Sequence, residues 1–187
     1  MSDHHPPLGT PTRRALLRMG AFSLLAVALG PTRALASTAD ARRLRMLNTH
    51  TGERTDVTYF DGRALVTDAL SEVDHFLRDF RTGEVHPIDP GALDIAWVLA
   101  RATERPGGTF EIISGYRSPT TNAALHERSA GVATHSMHLV GKAIDLRLPG
   151  VPLRVLRDAA LALGRGGVGF YPSSDFVHVD TGRVRRW

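Results

Sequence analysis

Two histidines and one carboxylate in the second half of the chain have the residue types of a metal site. His138 and Asp145 lie close together in sequence, and His178 follows on a later segment. A catalytic zinc ion uses three such protein ligands and leaves one position open for water. The pattern therefore predicts a hydrolytic zinc centre, and cobalt or manganese would also bind these ligands.

Alternation of side chains predicts that Asp145 and His178 lie on two neighbouring strands. In a strand over 142–148, Asp145 faces away from the apolar residues and stands beside the small Ala143, which leaves room for an ion. In a strand over 176–181, His178 shares its face with Phe176 and Asp180. The alternative without metal has His138 capping a loop and Asp145 paired with an arginine.

Two further carboxylates flank the last ligand. Asp175 follows Ser174 at the start of the predicted strand, where a turn would bring its carboxylate over the metal as a general base. A simple turn residue is the alternative for Asp175. Asp180 would orient a ligand from behind, or would pair with Arg183 at the surface.

Arg117 is the candidate cation of the site. It lies between a predicted strand and a predicted helix, from which it would stabilise an oxyanion or hold a substrate carboxylate. Its alternative is a pairing with Glu127 or Asp145. His135 and Ser136, beside the first ligand, are candidates for contacting substrate or supporting a ligand. The other histidines considered are interpreted as structural or surface residues: His50, His75, His86 and His126.

Periodicity and turn residues predict a mixture of helices and strands in which helices come early and strands late. The predicted helices cover 67–80, 90–104, 118–128 and 152–163. The predicted strands cover 44–48, 56–60, 109–114, 142–148, 168–171 and 176–181. This order favours an α+β fold with helices packed on a small antiparallel sheet.

Composition excludes several classes of function. The chain has no cysteine, so disulfides and thiolate metal sites are absent. The formal charge is +4, but residues 1–36 carry four arginines against one aspartate, which leaves about +1 (4 minus 3) for the rest. No basic face interleaved with aromatic residues is evident, so we do not expect a nucleic-acid partner.

Residues 1–36 have the order of an export signal. Arg13 and Arg14 precede the apolar run 21–29, and Ala34–Ala36 provides an A-x-A cleavage site. The paired arginines resemble a twin-arginine signal, with a general secretory signal as the alternative. The apolar run is too short for a permanent membrane anchor. We therefore expect a periplasmic or secreted protein that starts at Ser37.

Two motifs resemble one known family. Ser136, His138, Gly141, Ala143 and Asp145 match the signature S-x-H-x-x-G-x-A-x-D, and 175–178 matches D/E-x-x-H. These motifs resemble the zinc peptidases of bacterial cell walls, the superfamily of D-alanyl-D-alanine metallocarboxypeptidases, VanX-like dipeptidases and murein endopeptidases. Residues 114–118 are similar to the family's S-G-Y-R-S segment, and residues 178–187 resemble the exported YcbK/MepK-type subgroup.

The resemblance implies a fold, a cofactor and roles for the site residues. It covers 65–187 as the zinc peptidase domain, after a strand and loop segment over 37–64, and implies the fold shared with the hedgehog signalling domain. One zinc ion would be held by His138, Asp145 and His178, with Asp175 as base and Arg117 as the substrate or oxyanion cation.

The function implied by the resemblance is zinc-dependent hydrolysis of peptidoglycan. The protein would cut amide bonds in peptide stems or cross-links, with an endopeptidase favoured over a D,D- or L,D-carboxypeptidase. A non-catalytic, zinc-containing module that binds the cell wall is the alternative from another class. Peptidoglycan is the only partner that the sequence implies.

Overall fold

A seven-stranded sheet with four helices forms the described part of the chain. The computed structural model describes Met1, residues 40–128 and residues 133–187. The strands are β1 (Arg42–Asn48), β2 (Arg54–Phe60), β3 (Thr109–Ser114), β4 (Ala143–Arg147), β5 (Gly167–Tyr171), β6 (Phe176–Asp180) and β7 (Arg185–Arg186). The helices are α1 (Thr67–Phe76), α2 (Pro90–Ala102), α3 (Pro119–Arg128) and α4 (Leu153–Leu163), with a 3-10 helix at Met137–Val140.

The α+β prediction is confirmed, but the expectation of an antiparallel sheet is wrong in part. The strand order is β2-β1-β3-β4-β6-β5-β7, and the pairs β1–β3 and β5–β7 are parallel. Two helices separate β1 and β2 from β3, and such a crossover allows β3 to run parallel to β1. The chain reverses after β5 and again after β6, so β7 runs parallel to β5 along its free edge.

The first helix ends earlier than its apolar pattern predicts. The predicted helix covers 67–80, whereas α1 ends at Phe76. The Leu77 carbonyl accepts a hydrogen bond from Tyr116 N at 2.8 Å, and Asp79 O accepts one from Gly83 N at 2.7 Å in the turn that follows. Because these partners replace helical hydrogen bonds, residues 77–83 form a loop beside β3.

The two central strands separate the core from a polar face. Ile144 and Leu146 of β4, with Val177 and Val179 of β6, are almost completely buried among apolar residues. Asp145 and His178 alternate with them and lie directly opposite each other in the β4–β6 register. The predicted period of two is thus present, and it brings both polar side chains to one face.

The predicted export signal precedes the described part of the sheet in the chain. Apart from Met1, residues 1–36, including the proposed cleavage site after Ala36, lie outside the described residues. Among the described residues, no helix combines the length and apolar character needed to cross a membrane.

A buried carboxylate, Asp79, joins the loop after α1 to the start of α3. Asp79 Oδ2 accepts hydrogen bonds from Ser118 N at 2.9 Å and Ser118 Oγ at 2.8 Å, and Oδ1 accepts one from Arg81 N at 3.0 Å. Burial alone would raise the pKa of Asp79, but hydrogen bonds from Thr121, Ser118 and Arg81 outweigh burial and lower it. The ionised carboxylate therefore stabilises the fold.

We expect Asp79→Asn to lower the free energy of unfolding by about 1–3 kcal/mol at pH 7, since an amide NH2 would replace an acceptor. The unfolded pKa is about 3.9, and the folded value is lower. The stabilisation by Asp79 is complete above about pH 4 and is lost as the pH falls through the folded pKa. Urea unfolding of both proteins from pH 7 to pH 3 tests this, and a difference independent of pH would contradict it.

Candidate metal centre

Three side chains from different parts of the chain converge in one buried cluster. His138 Nε2 lies 3.1 Å from His178 Nδ1 and 3.2 Å from Asp145 Oδ1, and His178 Nδ1 lies 2.8 Å from the same Asp145 oxygen. Within the described residues, this is the set of histidine and acidic side chains arranged closely enough to hold a metal ion. The structure therefore brings together the three ligands predicted from the sequence.

Backbone and side-chain groups of two short segments hold His138. Its Nδ1 donates to Gly115 O at 2.6 Å, which leaves the Nε2 lone pair directed at the cluster. Arg117 N donates to His138 O at 3.2 Å, and Ser136 Oγ accepts from His138 N at 3.3 Å at the start of the 3-10 helix. Ser136 thus supports a candidate ligand through the backbone.

Two glycines allow the close backbone approaches around His138. A Cβ on Gly115 would lie 2.5 Å from Leu77 O, where the S-G-Y-R-S segment passes the end of α1. Gly141 ends the 3-10 helix with a φ of +65°, and a Cβ there would lie 2.1 Å from Pro87 O. Both positions require glycine for steric reasons, and Gly141 also for its left-handed conformation.

His178 is fixed from its far side by Asp180. His178 Nε2 donates to Asp180 Oδ2 at 3.0 Å, so Nδ1 is the ring nitrogen that faces the cluster. Asp180 is itself held by Gly167 N at 3.0 Å, Gly182 N at 2.8 Å and the Arg185 guanidinium at 2.7 Å. Asp180 therefore contacts the candidate ligand and pairs with Arg185, whereas the sequence alternative was Arg183.

Arg117 contacts the carboxylate of the cluster. Its Nη2 donates to Asp145 Oδ2, while its Nε donates to Ser114 Oγ at 2.9 Å. The side chain is mostly buried, with 13% of its surface exposed. Of the two pairings considered for Arg117, the one with Asp145 is therefore present. The guanidinium also borders the open cleft.

The electrostatic environment determines the protonation of each of the three side chains in the cluster. Burial opposes ionisation of Asp145, but His138 and His178 outweigh it and hold the pKa of Asp145 well below its usual value. Burial lowers the pKa of His138 more than Asp145 raises it, so His138 is neutral at pH 7. Burial likewise lowers the pKa of His178, but the carboxylates of Asp145 and Asp180 raise it overall. Asp145 and His138 are therefore in forms that bind metal, whereas the raised pKa of His178 favours its protonated form, from which metal binding would displace a proton.

The donor set and its spacing fit zinc. Ligand atoms about 2.0–2.1 Å from a tetrahedral ion are separated by about 3.3 Å. The three observed separations of 2.8, 3.1 and 3.2 Å need to grow by at most about 0.5 Å to reach this value. Two imidazoles with a single carboxylate suit zinc better than calcium or magnesium, which prefer oxygen ligands.

Asp175 lies at the turn between β5 and β6 but contacts a different partner. Its φ of +53° confirms a sharp turn at the start of β6. Its carboxylate accepts a hydrogen bond from Arg147 Nη1 at 2.9 Å, and 64% of the side chain is exposed. Arg147 follows Asp145 on the same face of β4. In this conformation the Asp175 carboxylate bonds a neighbour of Asp145 on β4 and does not contact His138, Asp145 or His178.

An open cleft of about 660 Å³ contains the cluster. His135 and Ser136 line it, in agreement with their predicted proximity to the site, and His135 is exposed. Sequence reasoning assigned no role at the site to several other lining residues, namely His50, Arg81, Tyr171, Phe176, Arg185 and Trp187, although it placed Phe176 on the same face as His178. The sequence analysis interpreted His50 as a structural or surface residue. The ending that includes Trp187 belonged to the family resemblance, but no sequence signal placed His50 or Arg81 near the ligands.

Aromatic side chains form one wall of the cleft beside His178. The Trp187 ring lies 5.2 Å from the His178 ring, centroid to centroid, and Trp187 Nε1 donates to Tyr171 Oη at 2.6 Å. Phe176 stacks on Tyr171 at 4.6 Å. Pairing of β7 with β5 brings Trp187 to this position. These rings therefore border the cluster on the side of β5 and β7.

Comparisons with known proteins point to one family. The family model described as peptidoglycan L,D-endopeptidase MepK matches residues 36–187. The chain is 44% identical to the peptidoglycan L,D-endopeptidase MepK of Escherichia coli strain K12 over 179 residues, which cover 94% of this chain and 96% of that protein. It is 38% identical to a protein of Haemophilus influenzae described as a probable peptidoglycan L,D-endopeptidase MepK, covering 94% and 95% of the two chains.

Proposed function

Because this chain belongs to the peptidoglycan L,D-endopeptidase MepK family, we propose that it cleaves L,D amide bonds in peptidoglycan cross-links with one zinc ion. The resemblance to murein peptidases noted in the sequence is confirmed by this membership, and the chain is a peptidoglycan hydrolase. The observation that carries the zinc proposal is the convergence of His138 Nε2, Asp145 Oδ1 and His178 Nδ1 in the open cleft.

The ligands are proposed to act as a preorganised set. When bound, zinc supplies Lewis acidity, which polarises a carbonyl oxygen and acidifies water. His138, Asp145 and His178 would hold it with three donor atoms and leave the side toward the cleft open. Gly115 and Asp180 keep each imidazole in the orientation that presents its lone pair. This support reduces the movement needed for binding.

Arg117 and Asp175 are proposed to serve the reaction from opposite sides. The Arg117 guanidinium stabilises the Asp145 carboxylate and borders the cleft, where it also stabilises negative charge on the substrate carbonyl oxygen. Asp175 takes a proton from the attacking water and transfers it to the leaving amine. For this step its exposed side chain rotates from Arg147 toward the cleft, which an exposed ion pair permits at low cost.

The shape of the cleft supports an endopeptidase. Residues of β3 and the loop after α1 line it on one side of the cluster, and residues of β5 and β7 line it on the other. A cross-linked substrate has a peptide on both sides of the bond that is cut, whereas a carboxypeptidase removes a terminal residue. Walls on both sides therefore suit the longer substrate.

The proposed location follows from the substrate and the N-terminal sequence. Peptidoglycan lies outside the cytoplasmic membrane, and residues 12–18 with the apolar run 21–29 have the order of a twin-arginine signal. We infer export, by the twin-arginine route, to the periplasm or the exterior. His135 is assigned to contact with the substrate, because it lines the cleft outside the ligand cluster.

Digestion of purified peptidoglycan tests the proposed function. The protein starting at Ser37 is incubated with cross-linked peptidoglycan, with chelator and with zinc added back, and products are identified by mass spectrometry. We expect conversion of cross-linked dimers to monomers at an L,D bond, loss of this activity with chelator, and recovery with zinc. Removal of terminal residues alone would indicate a carboxypeptidase, and bound zinc without products would indicate a wall-binding module.

A further inference from the structure

A second cation, Arg81, lines the cleft, and no acidic side chain in the described ranges pairs with its guanidinium. It lies in the loop after α1 and lines the cleft together with His50, Ile113 and Ser114. Among the residues that the structure describes, the Arg81 guanidinium forms no ion pair or hydrogen bond with a carboxylate. Arg117 and Arg185, which also line the cleft, contact Asp145 and Asp180 respectively. Of the three arginines that line the cleft, Arg81 is therefore the one whose guanidinium is available to bind a negatively charged group of the substrate.

The position of Arg81 is fixed by the fold. Its backbone N donates to the buried Asp79, which also binds Ser118, so this loop is tied to the segment that carries Arg117. The Arg81 guanidinium lies 4.1 Å from the centre of the Phe80 ring, and His50 stacks on Phe80 at 4.1 Å. A guanidinium resting on an aromatic face keeps its N–H groups available at its edges.

We propose that Arg81 binds a free carboxylate of the peptidoglycan stem, on the β3 side of the ligand cluster. This inference rests on the proposed function. The stem that supplies the amine of a cross-link still ends in a carboxylate, and where that amine belongs to a diamino dicarboxylic acid, the carboxylate next to it also stays free. A planar guanidinium forms paired hydrogen bonds with such a group. Arg81 thereby determines specificity for substrates that carry a negative charge at this position.

The local charge supports an anionic ligand here. Asp145 is the acidic residue lining the described cleft, against three arginines. Burial lowers the pKa of Arg81, Asp79 partly opposes this, and the positive charges of Arg117 and Arg128 lower it further. A carboxylate next to Arg81 would relieve the repulsion between these cations.

Arg81→Gln tests the proposal, with Arg154→Gln as the control. Arg154 is exposed on α4, and no residue of α4 lines the cleft. Its substitution removes the same positive charge as Arg81→Gln, but away from the cleft. The zinc-loaded proteins are given cross-linked muropeptides with free carboxylates and the same muropeptides after amidation. We expect Arg81→Gln to raise KM for the free form about tenfold with kcat unchanged, and to abolish the preference over the amidated form. Arg154→Gln should behave as the wild type.

Binding of the uncross-linked product monomers, measured by calorimetry, separates this inference from the proposed function. If the wild type cleaves nothing, the proposed function fails, yet weaker monomer binding by Arg81→Gln alone would still support the carboxylate site. Equal KM, equal preference and equal monomer binding in the wild type and Arg81→Gln would overturn the inference. Absence of monomer binding to the wild type would overturn it as well.

Discussion

Replacing His138 with alanine is expected to abolish zinc binding and to reduce peptidoglycan hydrolysis below detection. His138 supplies one of three ligand atoms, and its ring is 1% exposed and anchored to Gly115 O. Two remaining ligands hold zinc far less tightly than three. Metal content by mass spectrometry and release of monomers from cross-linked muropeptides measure both effects.

Control experiments separate loss of the metal from loss of the fold. The His75→Ala variant removes an exposed histidine on α1 and should keep one zinc per chain and full activity. Zinc should raise the Tm of the wild type and of His75→Ala but not that of His138→Ala, since a ligand stabilises only the state that binds it. Retention of stoichiometric zinc and activity in His138→Ala would contradict the assigned site.

Asp175→Asn is expected to lower kcat by about 10²–10⁴-fold while zinc content and stability stay unchanged. The magnitude is that of losing a positioned general base. Stability should be unaffected because the Asp175–Arg147 pair is largely exposed, and exposed ion pairs contribute little. Single-turnover hydrolysis of cross-linked muropeptides, with unfolding curves on the same samples, measures the two quantities separately.

The matched control for Asp175→Asn is Asp158→Asn. Asp158 is also an exposed carboxylate paired with an arginine, Arg157, but it lies on α4 away from the cleft. The Asp158→Asn variant should therefore have the kcat of the wild type. If Asp175→Asn retains the wild-type kcat, the proton is taken by another group, and His135 on the cleft wall becomes the next candidate.

The ligand types and most secondary structure could be predicted from local sequence. Strand β3 has the predicted bounds, and β4, β5 and β6 differ from prediction by a residue or so at their ends. These features are encoded over a few residues, by period-two apolar alternation and by turn residues. The order of apolar and polar residues also indicated that Asp145 and His178 face away from the core.

Contacts between distant segments could not be predicted in the same way. Helix α1 stops at Phe76 because Tyr116, far along the chain, bonds Leu77 O. Its apolar residues still continue the helical period to Phe80, so local sequence favoured a longer helix. Because α1 ends at Phe76, residue 81 lies in a loop that lines the cleft. Local sequence did not predict this loop, so it gave no reason to place Arg81 near the site.

The sequence by itself determined that this chain carries two histidines and an aspartate of zinc-ligand type, in the motifs of a murein peptidase family, with Asp145 and His178 on strands of alternating polarity. Only the tertiary structure decided that Asp145 lies opposite His178, that Arg117 pairs with Asp145, and that Arg81 lines the same cleft with no carboxylate of the described residues bonded to its guanidinium. The reason is that side-chain types and the periodicity of apolar residues depend only on residues close together in the sequence. Strand order and register, in contrast, depend on packing the whole sheet, and they decide which distant charges meet.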